Sequence, residues 1–449
     1  MQILHVSLTK SAIWTIASYC VNNLIRISTS IILTRLLAPE LFGIMVIVST
    51  LRTCVELISD VGIGQSIIYN KNAENPDFYN TAWTLKSVRG VLLWLVTCVA
   101  AVPLAYFYHT PILAAVIPVA SIAIVLSGFT SISGFLLQKR LQIAKYILYD
   151  ISLAIIAAVG QITLAYLLPT IWGLVLGMLF SGAIVLIWSF FVVPEIRHRF
   201  KISRSYAREI LHFGKWIFLA SIVYLLSTSF DRFYLAGAIP LALLGVYGIA
   251  RSLSELVSNL ALQLGNIVVF PYIAGHSEIP RDELYSRLVS IRLKFLLIAA
   301  LGISLSAASV DLLIKTFFDP RYHAAGWMTP ILIMGAWVSI LCSLNESTLL
   351  GLGTPRYGAV GYSMKFVWLL IGLPLSLSYY GLLGGVIVIA ASDVFRYPSV
   401  FVGQIWERFA FGRQDFLITM LVLGLFLFFE LLRSLLGFGT SFENLLIFS

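Results

Sequence analysis

Charged side chains recur at a spacing of four residues inside two apolar stretches of the sequence. Arg52, Glu56 and Asp60 lie in one stretch, and Arg251 and Glu255 lie in another. Side chains four residues apart share one face of an α-helix. A guanidinium group can bind an anion through two parallel hydrogen bonds, and a carboxylate can supply counter-charge. We therefore predict that Arg52 and Arg251 bind an anionic group, and that Glu56, Asp60 and Glu255 supply counter-charge or couple an ion.

Further charges lie in other apolar stretches. Arg26 lies in the first of them, and we predict that it is a third anion-binding residue. Asp231 and Arg232 lie near the end of the seventh stretch, where a structural or gating role is predicted. The other charges of this kind are Glu346, Asp393 and Arg396.

A charge at the centre of a bilayer costs about 2.5–3.5 kcal/mol, so a sequence retains few of them without a reason. Two interpretations stay open. The arginines either face a cavity and bind an anion, or pairs such as Arg52–Glu56 and Arg251–Glu255 only neutralise each other and hold helices together.

The composition requires that lipid surrounds most of the chain. Of 449 residues, 59% are hydrophobic and only 11% are charged, and the mean hydropathy is +0.94. Soluble proteins carry about 25% charged residues. We predict an all-α polytopic membrane protein with thirteen spans, each about as long as a helix that crosses the hydrocarbon core. They lie at 11–34, 41–64, 83–108, 112–136, 146–167, 170–193, 213–236, 241–269, 294–317, 327–350, 363–379, 382–404 and 415–434.

The distribution of lysine and arginine predicts the orientation. With a cytoplasmic N-terminus, most of these residues lie in the inner connections, among them Lys86, Arg89, Arg292 and Lys365. The outer connections then hold Arg35, Lys315, Arg321 and Arg433. Positive charge accumulates on the cytoplasmic side of membrane proteins. The basic segment 194–212 is therefore predicted to be cytoplasmic, and residues 435–449 are predicted to lie outside.

The chain divides into two similar halves. The run 27–30 (ISTS) precedes Leu41-Phe-Gly-Ile44, and the run 226–229 (LSTS) precedes Leu243-Leu-Gly-Val246. We predict a six-helix bundle at 1–193, a basic linker at 194–212, a second six-helix bundle at 213–405, and an additional helix and tail at 406–449. Parallel repeats related by a pseudo-twofold axis along the membrane normal suit transport by alternating access.

Several functions find no support in the sequence. It has no Walker A motif and no HExxH zinc motif, and its four cysteines lie in apolar spans without CxxC spacing. The positive charge reflects topology, so a nucleic-acid partner is not expected. We predict a transporter and not an enzyme, without a cofactor other than a coupling ion, Na⁺ or H⁺.

Five segments resemble the Wzx-type polysaccharide exporters, and most closely their colanic-acid-exporter-like branch. They are 33–43 (LTRLLAPELFG) with 60–64 (DVGIG), then 78–83 (FYNTAW), and then 231–235 (DRFYL) with 244–250 (LGVYGIA). The resemblance covers most of the chain and fades beyond residue 405. These exporters belong to the multidrug/oligosaccharidyl-lipid/polysaccharide superfamily, whose core of two six-helix bundles agrees with the two halves.

The resemblance implies a protein of the bacterial inner membrane that flips undecaprenyl-pyrophosphate-linked oligosaccharides for exopolysaccharide, capsule or O-antigen synthesis. The anion at Arg26, Arg52 and Arg251 would then be the pyrophosphate. Other expected partners are membrane lipids, a polysaccharide polymerase and a chain-length regulator, and the protein is expected to be a monomer. Two alternatives stay open: an ion-coupled multidrug antiporter of the same superfamily, and a scaffold of a glycan assembly complex that transports nothing.

Overall fold

The structure is a computed structural model that describes residues 2–58, 63–70, 74–139, 143–193, 195–264, 273 and 280–441. Asp60, one of the predicted counter-charges, lies outside these residues. The described residues form helices and their connections, without a β-strand. The predicted all-α fold class is therefore confirmed.

In the part of the chain that the structure describes, nine α-helices precede the basic linker. They are α1 (Gln2–Leu36), α2 (Pro39–Ile58), α3 (Ile63–Tyr69), α4 (Pro76–Phe107), α5 (Leu113–Ala120), α6 (Ile122–Phe129), α7 (Ser133–Lys139), α8 (Ile143–Leu167) and α9 (Ile171–Ser189). The predicted span 112–136 is divided into the three short helices α5, α6 and α7. The chain becomes extended at Thr130, where α6 ends.

Within the described residues, seven α-helices follow the linker. They are α10 (Arg204–Ala238), α11 (Leu241–Leu264), α12 (Arg281–Phe317), α13 (Ala325–Gly351), α14 (Arg356–Ala390), α15 (Ser392–Trp406) and α16 (Gly412–Leu435). Gly381 interrupts α14 with φ of 60° and ψ of −155°. Glycine adopts positive φ without a steric cost, so the chain can turn sharply there. This break separates the predicted spans 363–379 and 382–404.

Seven segments within the described residues are long and apolar enough to cross a membrane. They are Pro76–Phe107, Ile147–Leu167, Ile171–Ser189, Arg281–Phe317, Ala325–Gly351, Arg356–Trp406 and Gly412–Leu435. The segment Arg356–Trp406 contains the break at Gly381 and so covers two of the predicted spans. The protein is thus a multi-pass membrane protein.

The contacts divide the chain into two compact units. The first unit comprises 1–225 and 232–245, and the second comprises 226–231 and 246–449. The division falls within α10 and α11, later in the chain than the linker at 194–212. The bundle boundaries drawn from the sequence stay a prediction. Helix α16 is part of the second unit.

The glycines of the repeated sequence motif lie at a close helix crossing inside the first unit. A Cβ atom at Gly43 on α2 would collide with the carbonyl oxygen of Leu241, and one at Gly245 on α11 would collide with the carbonyl oxygen of Pro39. The two backbones therefore approach too closely for any side chain. Each glycine of the repeated motif thus lies against the backbone of the other helix.

We expect Gly245→Ala to destabilise the protein by about 1–3 kcal/mol, the usual cost of overpacking. Gly302→Ala is the matched control, because its Cβ would meet no atom within 4 Å and alanine is the better helix former. Thermal unfolding of the purified protein in detergent measures both. Equal melting temperatures for the two variants would contradict the close crossing.

The end of the basic linker runs as an extended strap along the first turns of α4. We use the word strap for residues 196–203. The backbone N–H of Arg199 donates to Asn80 Oδ1 (2.8 Å), that of Lys201 to Thr84 Oγ1 (3.1 Å), and that of Ser203 to Thr81 Oγ1 (3.0 Å). Three alternate residues are thus fixed to one helix, and this part of the linker has a defined conformation.

Candidate functional site

The first charged group lies on α2 in the first unit. Arg52 Nε is 3.8 Å from Glu56 Oε1, and the two side chains are 34% and 37% exposed. Arg52 Nη1 also donates to Met178 Sδ on α9 at 3.3 Å. The predicted helical pair is therefore present, but its distance is long and both partners remain accessible. Such a pair can rearrange to bind a ligand with only a small loss of free energy.

Two further bases join this group from α4. Arg89 Nη2 donates to the carbonyl oxygen of Glu56 at 2.5 Å. Lys86 Nζ donates to Thr130 Oγ1 at 2.5 Å and to the carbonyl oxygen of Thr130 at 3.2 Å. A cavity of about 40 Å³ is lined by Glu56, Lys86 and Arg89 together with Gly90, Leu93, Ile124, Ser127 and Gly128. Its volume is that of about one water molecule.

The sequence interpretation counted Lys86 and Arg89 with an inner connection, whereas the structure places them in a helix, and the side of the membrane stays a prediction. Both lie inside α4, which begins at Pro76. The Asn75 side chain accepts a hydrogen bond from the Asp77 N–H, and Pro76 occupies the first turn. An asparagine cap followed by proline is a recognised helix start, so the sequence carried the signal. We name Arg52, Glu56, Lys86 and Arg89 the basic group.

Arg26 lies on α1, which packs on α8. One turn earlier, Asn22 Nδ2 donates to Asp150 Oδ2 on α8 at 2.6 Å. The Arg26 side chain is exposed in the first unit. Its predicted role in anion binding stays a prediction.

Arg251 in the second unit lies between two carboxylates. Its Nε is 3.2 Å from Glu255 Oε1 and 3.3 Å from Asp231 Oδ2. Tyr247 donates its hydroxyl hydrogen to Asp231 Oδ2. The spacing of four residues along α11 predicted the pair of Arg251 with Glu255. It could not predict the pair with Asp231, which lies on α10. Because two acids surround one base, this triad has a formal charge of −1 and differs in sign from the basic group. Arg232, the next residue along α10, belongs to the first unit.

Other charges of the second unit form a buried network. Asp393 Oδ2 accepts from Lys365 Nζ at 2.8 Å, and Asp393 Oδ1 is 3.4 Å from Arg396 Nη1. Arg396 also pairs with Glu346 and stacks on the Tyr362 ring at 4.0 Å. The sequence interpretation assigned Lys365 to an inner connection, but it lies within α14. Three helices are joined here through ion pairs.

A second part of this network lies beside the first. Arg292 Nη2 is 2.5 Å from Asp415 Oδ1 and donates to Asn345 Oδ1 at 2.7 Å. Asp415 Oδ2 accepts from Asn345 Nδ2 at 3.0 Å and from the Tyr397 hydroxyl at 2.8 Å. Asn345 precedes Glu346 on α13, and Tyr397 follows Arg396 on α15. The network therefore ties together α12, α13, α14, α15 and α16.

A family model described as polysaccharide biosynthesis protein matches residues 32–325, more than half of the chain. The chain belongs to this family. It is 24% identical over 248 residues to the lipopolysaccharide biosynthesis protein WzxC of Escherichia coli (strain K12), covering 54% of this chain and 49% of that protein. The chain thus spans about half the length of that relative. The resemblance to the Wzx-type exporters is confirmed.

Two further similarities extend over most of the chain. The succinoglycan biosynthesis transport protein ExoT of Rhizobium meliloti (strain 1021) is 22% identical over 365 residues, which cover 81% of this chain and 72% of ExoT. The solved structure of the lipid II flippase MurJ in an inward closed conformation superposes with a TM-score of 0.71. It covers 93% of this chain and 92% of MurJ at 14% identity. At that identity the match describes the fold alone.

Within the second unit, α16 is fixed to α12 near both of its ends. Arg292 and Asp415 join the start of the two helices, as described above. At the other end, Arg433 Nη1 and Nη2 bind Asp311 Oδ1 and Oδ2 at 2.5 and 2.7 Å. Lys315 Nζ is 3.8 Å from the same carboxylate. The additional helix predicted from the sequence is therefore an integral part of the second unit.

Proposed function

We propose that this protein moves an undecaprenyl-pyrophosphate-linked oligosaccharide across the bacterial inner membrane, for the synthesis of exopolysaccharide, capsule or O-antigen. The observation that carries the proposal is the basic group on α2 and α4. Its described residues hold three bases and one acid inside a helical membrane unit. The names of WzxC and ExoT, which concern lipopolysaccharide and succinoglycan, support the same class of substrate.

The chemistry of the basic group suits a pyrophosphate. Two phosphates and a glycan cannot cross hydrocarbon unaided, because the desolvation of charged and polar groups costs too much. Guanidinium groups at Arg52 and Arg89 match phosphate oxygens through paired hydrogen bonds, and Lys86 adds a compact charge. Glu56 lowers the total charge of the group when the substrate is absent. In this proposal the apolar tail of the substrate stays in lipid.

The proposed mechanism is alternating access without ATP hydrolysis, as the missing Walker A motif suggests. The acidic triad of the second unit gives the mechanism a second element. The two acids Asp231 and Glu255 and the base Arg251 sum to a formal charge of −1, which suits a coupling cation, Na⁺ or H⁺. Glu56 can serve in the same way in the first unit. A monomer that works beside a polymerase and a chain-length regulator completes the proposal.

Deleting the gene should abolish a surface or secreted polysaccharide and let lipid-linked repeat units accumulate on the inner leaflet. Vesicles that contain only the purified protein should also transfer a fluorescent undecaprenyl-pyrophosphate oligosaccharide between leaflets. Vesicles without protein serve as the control. Polymer at a normal level, with no second exporter to account for it, would contradict the proposal. A pathway defect without transfer in vesicles would indicate a scaffold instead.

A further inference from the structure

The strap exposes a row of basic side chains on one of its two sides. In an extended chain, successive side chains point to opposite sides. His198 and Phe200 pack on the Trp83 ring, with centroid distances of 5.1 and 4.8 Å. Arg197, Arg199 and Lys201 alternate with them and are exposed. The row thus points away from the ring contacts that hold the strap.

Packing and hydrogen bonds prepare this row before any ligand arrives. The backbone bonds of the strap to α4 fix its path, and Ser131 Oγ lies 2.8 Å from His198 Nε2. Burial of the imidazole and the nearby Lys86 ammonium lower the pKa of His198 to about 4. His198 is therefore neutral at pH 7 and serves as an anchor. A ligand of the row meets side chains on an ordered backbone, and little entropy is lost on binding.

The surroundings of the row combine positive charge with exposed apolar side chains. Arg204 and Arg208 in the first turns of α10 are exposed and extend the row. Residues 195–209 contain five lysine or arginine residues but two acids, Glu195 and Glu209. Within the described residues, Lys201 is the member of the row that pairs with an acid, namely Asp77 at 2.6 Å. The stretch therefore keeps an excess of positive charge.

Apolar and aromatic side chains lie next to these bases. Phe200 is 66% exposed and Ile202 is 57% exposed, and both alternate with the basic residues. The strap follows directly on the end of α9, where Trp188 and Phe191 are exposed as well. Aromatic residues at the end of an apolar span are typical of the membrane–water interface. A soluble anion would not bind to these apolar side chains, whereas a lipid surface offers phosphates and hydrocarbon side by side.

We propose that the row formed by Arg197, Arg199, Lys201, Arg204 and Arg208 binds the headgroups of anionic phospholipids. Ile202 then enters the boundary between headgroups and acyl chains, while Phe200 keeps its contact with the Trp83 ring. Basic residues next to a membrane span attract anionic lipid, each by about fivefold in affinity. The strap thus holds the start of α4 and the start of α10 at the membrane surface. This inference is independent of the substrate that the protein transports.

The test compares lipid binding by two double variants of the full-length protein. Arg197→Gln with Arg199→Gln removes two members of the row. Arg281→Gln with Arg287→Gln is the matched control, because these exposed arginines have acid partners, Glu407 at 3.1 Å and Glu283 at 2.5 Å. Native mass spectrometry of the detergent-solubilised protein counts bound dioleoylphosphatidylglycerol and dioleoylphosphatidylcholine. Circular dichroism checks that all variants are folded.

We expect the wild type to prefer phosphatidylglycerol, and its affinity to fall about fivefold for each arginine removed from the row. The control variant should bind as the wild type does, and salt at 1 M should weaken the preference. Equal losses in both variants, or no preference between the lipids, would overturn the proposal. Displacement of phosphatidylglycerol by millimolar inorganic pyrophosphate would also overturn it, because the row would then serve a soluble phosphate ligand.

Discussion

Replacing Arg251 with glutamine should destabilise the protein by about 3–5 kcal/mol, the cost of leaving a buried carboxylate without its partner. Arg251 is the base between Asp231, which is almost completely buried, and Glu255. Thermal unfolding in detergent and the expression level measure the effect. Transport should fall together with the amount of folded protein.

The triple variant Arg251→Gln, Asp231→Asn, Glu255→Gln should recover most of the lost stability, because no uncompensated charge remains. Arg287→Gln is the control. Its pair with Glu283 is half exposed, and such pairs contribute about 0–1 kcal/mol. A stable Arg251→Gln protein that has lost transport would contradict this prediction and favour substrate binding at Arg251. An equal loss of stability for Arg287→Gln would show that the assay does not distinguish buried from exposed ion pairs.

Replacing Arg52 with glutamine should have the opposite outcome. Stability should change by less than about 1 kcal/mol, because the pair with Glu56 is long and more than a third exposed on the Glu56 side. Transport should fall at least about tenfold if the guanidinium binds pyrophosphate, since such a charge-assisted contact contributes about 1.5–3 kcal/mol. Arg52→Lys should restore part of it, because lysine keeps the charge but loses the paired hydrogen bonds. Melting temperature and glycan export in deletion cells are the measurements.

The double variant Arg52→Gln, Glu56→Gln separates binding from structure. If Arg52 only compensates Glu56, the double variant should export glycan normally, and the binding role would then be abandoned. A stable but inactive double variant supports binding. Arg89→Gln offers a second test, because its contact with the Glu56 carbonyl places it in the same group.

The spacing of charges along one helix was a good guide to contacts within that helix. The pairs Arg52–Glu56 and Arg251–Glu255 are both present, because side chains four residues apart are neighbours on a helix. The apolar stretches located most of the spans for the same reason, since hydropathy depends on local sequence alone. The break at Gly381 also lies between two predicted spans.

Contacts between distant helices could not be predicted in this way. Asp231 joins Arg251 from another helix, and Arg433 meets Asp311 across 122 residues. Sequence spacing gives no information on such pairs. Lys86, Arg89 and Lys365 were counted with the inner connections although they fall at the start of the predicted spans 83–108 and 363–379. They lie within helices, where other helices can supply partners.

The double attachment of α16 to α12 has a consequence for how the protein is made. The ribosome delivers α12 to the membrane long before α16, so Arg292 and Asp311 enter the bilayer without Asp415 and Arg433. Until the last helix is inserted, Arg292 lacks its partner Asp415, and Asp311 has Lys315 of its own helix nearby but lacks Arg433. The two ion pairs that fix α16 to α12 therefore form only at the end of translation. A chain stopped before α16 would keep Arg292 and Asp311 without these two partners.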